Sequence, residues 1–69
     1  MQNRLMFKKK TFCIKGPENE DFINESVTAR ISNEIPEEYH LKQVVSCDIN
    51  YAVCSNEWMV QVVLILEKV

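Results

Sequence analysis

The 69-residue sequence contains one glycine, two prolines, one histidine and one tryptophan. So little glycine and proline excludes low-complexity and collagen-like chains. No apolar run reaches the ~18 residues that cross a bilayer as a helix. The three cysteines, Cys13, Cys47 and Cys54, include no CxxC pair, and an odd count does not suit a disulfide framework. His40 has no cysteine or second histidine at zinc-like spacing, so no metal is expected. There is no glycine-rich phosphate loop, HExxH helix or nucleophile elbow. The stretch from Met1 to Lys8 lacks the apolar core of about 7–15 residues that a secretory signal carries. Together with cysteines read as reduced, this makes the cytoplasm, of a bacterial cell or of a phage-infected host, the expected compartment. The acidic pI of 5.3 argues against general nucleic-acid binding.

What is present is ordinary globular composition, 46% hydrophobic and 26% charged, too apolar for a disordered chain. A single domain over residues 1–69 is expected. A core of this size supplies only roughly 3–5 kcal/mol, so small domains need a staple. With disulfide and metal set aside, self-association is the remaining one.

The charge is segregated. Residues 1–16 carry Arg4, Lys8, Lys9, Lys10 and Lys15 and no acid, whereas residues 17–39 carry seven acids and only Arg30. Residues 5–15 read as a first strand, with Met6, Phe12 and Ile14 on one face and Phe7, Thr11 and Cys13 on the other. Lys8-Lys9-Lys10 interrupts both faces. It is read either as protection of a sheet edge or as an anion contact. Gly16-Pro17 ends the strand. Asn19 is a plausible N-cap, and the acids that follow suit the positive end of a helix dipole. Phe22, Ile23, Val27 and Ile31 then form one apolar stripe of a helix from about 20 to 34, stopped by Pro36.

Residues 41–54 alternate with period two, as in a half-buried strand. Ser55-Asn56 supplies a turn. The run from Trp58 to Leu66 is apolar on both faces, as in a strand covered on both sides. The expected class is α+β, with βαββ topology, an antiparallel sheet in the order 1-3-2 and one helix on one face. A two-residue turn pairs Val53 with Trp58, Tyr51 with Val60, Ile49 with Val62 and Cys47 with Leu64 on the helix side. It puts Ala52 opposite Met59, Asn50 opposite Gln61, Asp48 opposite Val63 and Ser46 opposite Ile65 on the second face.

That second face mixes apolar Met59, Val63 and Ile65, expected at a subunit interface, with polar Ser46, Asp48, Asn50 and Gln61. It is read either as a satisfied polar seam that sets oligomer register or as a ligand pocket between subunits. In the pocket reading the candidate ligand residues are Gln61, Asn50, Asp48 and Ser46, with Lys8 and Lys10 as cations. No catalytic residues are assigned. Cys47 is expected as an inert buried thiol, His40 as a surface histidine and Trp58 at the open end of the core.

The βαββ order, Gly16 after the first strand, the acidic helix start and the closing stretch Gln61-Val62-Val63-Leu64-Ile65-Leu66-Glu67 resemble the dodecins. These are small cytoplasmic proteins that assemble into hollow dodecamers and hold flavins between subunits without catalysis. The resemblance implies a homo-oligomer with a shared sheet face. It also places Gln61 where a glutamine of the last strand contacts the flavin ring. The stacking tryptophan of that family lies early in the second strand, where this chain has His40-Leu41-Lys42-Gln43.

The functional expectation is a non-enzymatic homo-oligomer that binds or sequesters a small, anionic, nucleotide- or flavin-like ligand and requires no cofactor. A phage-encoded sponge for a host signalling nucleotide is one version of it. No nucleic-acid or membrane partner is expected. The competing readings are a protein inhibitor or adaptor, acting through the acidic helix face or a sheet edge, and a purely structural assembly protein.

Overall fold

The computed structural model describes residues 4–69; Met1, Gln2 and Asn3, part of the stretch read for an export signal, lie outside them. Strand β1 (Leu5–Lys15) is followed by helix α1 (Glu20–Asn33), strand β2 (Tyr39–Ala52) and strand β3 (Glu57–Lys68). The sheet order is β1-β3-β2, antiparallel throughout. The α+β βαββ architecture is therefore the expected one. The molecule is a narrow slab of 49 × 15 × 14 Å.

β3 is central because it is the most apolar strand. Its even residues Trp58, Val60, Val62, Leu64 and Leu66 are buried under the helix with Phe12, Ile23 and Val27. The helix starts as its sequence dictates. The Asn19 side chain accepts a hydrogen bond from the Phe22 backbone N–H, and Glu20 and Asp21 occupy the first turn.

Three contacts fasten the helix along β1. Gly16 lets the Phe22 ring lie directly on the strand end, in the space a Cβ would occupy. Arg30 stacks over the Phe12 ring, 4.5 Å from its centroid. At the far end Lys8 donates to the Glu34 carbonyl oxygen at 2.8 Å, and Lys8 and Lys10 both approach the Glu34 carboxylate. A cation at a helix C-terminus meets the negative end of the dipole. The indole N–H of Trp58 donates to the Pro17 carbonyl oxygen, closing the other end of the core.

The β2–β3 register differs from the expected one by two residues. Tyr51, not Val53, lies opposite Trp58, Ile49 opposite Val60 and Cys47 opposite Val62. The loop has four residues, 53–56, not two. Ser55 N–H bonds to Ala52 O, and Asn56 takes a left-handed conformation with φ 52°. Asparagine tolerates that region better than most residues, and Tyr51 Oη donates to its side-chain oxygen. A shift of two preserves the faces, but it moves Val53 into the loop, where it is 72% exposed.

Two bulges in β2, at Lys42 and Val45, interrupt the alternation. Between them Val44 replaces Val45 on the helix side, and Gln43 moves to the other face, opposite Ile65. Cys47 also departs from expectation. It lies on the helix side but is exposed, because the helix sits over β1 and β3 and leaves the margin of β2 uncovered.

The Gly16–Phe22 contact yields a stability test. Gly16→Ala is expected to cost about 1–3 kcal/mol through overpacking, read by urea unfolding. Combined with Phe22→Ala, the added cost of Gly16→Ala should largely vanish, because the two residues share one space.

Candidate functional site: the open sheet face

The helix covers one side of the sheet, and the other side faces solvent. Register places the open-face side chains in rows across the three strands. Row by row, from the hairpin end, they are Cys13–Met59–Asn50, Thr11–Gln61–Asp48, Lys9–Val63–Ser46 and Phe7–Ile65–Gln43. Glu57 closes one end beside Lys15 and Ala52, and Glu67 the other between Leu5 and His40.

The structure thus brings Ser46, Asp48, Asn50 and Gln61 onto one face with Met59, Val63 and Ile65. Their partners across the strands are the shifted ones: Asp48 pairs with Gln61, Asn50 with Met59 and Ser46 with Val63. Gln61, Val63, Ile65 and Ser46 are half-buried, while Asp48, Asn50 and Met59 are exposed.

Lys8 and Lys10 are not brought together with these residues. Successive residues of a strand point to opposite faces. Lys8 and Lys10 pair with Leu64 and Val62 on the helix side, where Glu34 engages them. The cations that β1 gives to the open face are instead Lys9 and Lys15. Thr11, Phe7 and Gln43 also join the face without having been singled out in the sequence. Thr11 and Phe7 follow from simple alternation along β1. Gln43 does not, and the one hint was a polar residue at an otherwise apolar odd position.

Chemically the face is a mixed platform. The central row offers a hydroxyl, an amide and a carboxylate side by side, and the next two rows offer apolar Val63, Ile65 and Phe7, the last 70% exposed. Cys13 Sγ lies 3.5 Å from Met59 Sδ. Among the described residues no group of three or more His, Cys, Asp or Glu could hold a metal ion.

Other features have their groups engaged elsewhere. An open cleft of about 460 Å³ at the hairpin end is lined by Lys15, Gly16, Pro17, Tyr51, Ser55 and Asn56. Its best polar groups are committed, Tyr51 to Asn56 and Pro17 to Trp58. The Cys47 thiol is held above its usual range by the partial covering it has and by the neighbouring Asp48 carboxylate, which keeps it protonated and weakly nucleophilic. His40 cannot serve it, since His40 pairs with Glu67 on the open face and Cys47 with Val62 on the other.

At the far end of the open face His40 Nε2 lies 3.1 Å from Glu67 Oε1, and Lys42 Nζ lies 3.9 Å from the same oxygen. The hydrogen bond from His40, then the charge of Lys42, hold the Glu67 carboxyl below the usual range. A carboxylate with a depressed folded pKa stabilises the fold above its unfolded pKa, and that contribution is lost as pH falls through the folded value. The Glu67 side-chain titration followed by NMR should therefore have its midpoint below that of an ordinary glutamate. His40→Ala should move the midpoint upward.

No helix among the described residues is long and apolar enough to cross a membrane. No protein-family model, curated protein or solved structure matches the chain.

Proposed function

We propose that this chain is a non-catalytic, oligomeric binding protein that holds a small, flat ligand between subunits on the open sheet face. One observation carries the reading. The Thr11–Gln61–Asp48 row supplies hydrogen-bonding groups of three kinds in the middle of a face whose neighbouring rows carry Val63, Ile65 and Phe7. Apolar walls with a few convergent polar groups are the usual make-up of a small-molecule site. An amide beside a carboxylate suits the edge of a heteroaromatic ring, as in a nucleobase or a flavin. Lys9 and Lys15 on the same face suit an anionic substituent on that ring, and Lys8 and Lys10 are left to the helix.

Exposed Phe7 and Met59 on this face favour a covering subunit. Three free, exposed cysteines fit a reducing compartment, the cytoplasm of a bacterial or phage-infected cell. Binding without turnover fits a role in storing or sequestering the ligand, of which a sponge for a signalling nucleotide is one form.

A second reading, an inhibitor or adaptor docking through the helix, draws on one specific feature. Glu18, Glu20, Asp21 and Glu25 are all exposed on the helix and the segment before it, whereas Glu34 is held by Lys8 and Lys10.

Native mass spectrometry of the protein purified from its source cells tests the first reading. The expected result is an oligomer carrying extra mass. Asn50→Ala combined with Gln61→Ala should lose that mass while the oligomer persists. A bare monomer would overturn the reading and favour helix docking.

A further inference from the structure

Resting on that reading, we propose that two copies of this chain pack open face to open face about a twofold axis running along β3. β1 of each copy then lies over β2 of the other, and Lys9 of each, over the partner's Ser46, stands one row from the partner's Asp48. A twofold that packs two sheets face to face lies in the interface plane, and its two limiting directions are along the strands and across them. An axis across the strands, at the central Gln61 row, sets β2 on β2 and β1 on β1. It presses Asp48 against its own copy and places the two basic β1 strands together. An axis along the strands crosses them over. The open face of β1 carries Lys9 and Lys15 and no acid, and the open face of β2 between the second bulge and the hairpin carries Asp48 and no base. Crossing β1 over β2 therefore sets opposite charges within one row of each other near the centre, where the axis across the Gln61 row sets like charges together.

The same crossing brings the Thr11 hydroxyl over the partner's Asp48. That gives a covered carboxylate the hydrogen bond it needs, since a desolvated charge without partners is costly. It sets exposed Phe7 over the partner's Gln43, in the row of Ile65. The area suffices: eleven rows of strand, about 36 Å long, by three strands, about 14 Å wide, give a footprint of about 500 Å² per copy. Both copies together reach the ~1,000 Å² at which specific interfaces begin. Gln61, at the centre, then sits on the twofold axis, so a ligand held there meets two amides related by symmetry.

Sedimentation equilibrium of the wild type, Lys9→Glu, Asp48→Lys and the double reversal tests the arrangement, with circular dichroism to check folding. Each single reversal should raise the dimer dissociation constant about tenfold or more, as close charge pairs across interfaces do. The double reversal should return it to near the wild-type value. A wild type that stays monomeric overturns the proposal together with the reading it rests on. A dimer that neither reversal weakens, or that the double reversal does not restore, overturns this arrangement alone and leaves the shared face standing. Should a reversal unfold the chain, the salt dependence of the wild-type dimer decides. Weakening with added salt supports opposed charges, and strengthening overturns the proposal in favour of stacked like charges.

Discussion

The structure depends on one strand being paired on both edges and buried on one face. Val60, Val62, Leu64 and Leu66 of β3 are at most 1% exposed. Burying four such side chains contributes about 1.5–3 kcal/mol each, comparable to the whole net stability of a domain this small. Each outer strand is defined by its register against β3. The helix has a place only because β3 offers it a continuous apolar ridge.

The helix is short relative to the sheet and is fastened to one side of it. Fourteen helical residues span about 21 Å at 1.5 Å per residue, against a slab of 49 Å. Its contacts with Gly16, Phe12, Lys8 and Lys10 all fall on β1 or the turn after it. The lysine run thus has a split role. Lys8 and Lys10 hold the end of the helix, and Lys9, between them, turns to the open face. The same asymmetry leaves Leu41, Val44 and Cys47 exposed at the margin of β2.

Most of the fold was legible because its signals are local. The Asn19 cap, the acids after it and the spacing of Ile23, Val27 and Ile31 depend only on residues within a few positions of each other. The face membership of Asp48, Asn50, Met59, Gln61, Val63 and Ile65 was legible too, because alternation survives any even shift of register. The pairing itself was not. It hinged on whether the chain reverses in two residues or four, and that was decided by Asn56 adopting a left-handed conformation with Tyr51 bonded to its side chain. Gln43 was misplaced for a related reason. A bulge inserts a residue into one strand only, and strict alternation cannot register it.

The sequence by itself determined which residues are helical, which strand is central and, outside the β2 bulges, which side chains share a face, because propensity, capping and hydrophobic period act over short distances along the chain. Only the tertiary structure decided which residues meet. Placing Asp48 beside Gln61 required the β2–β3 register, and engaging Lys8 and Lys10 with Glu34 required the helix to end over β1, on the face to which alternation already turns both lysines. Such contacts join residues more than ten positions apart, and their energies enter only once loop geometry and packing have brought the elements together.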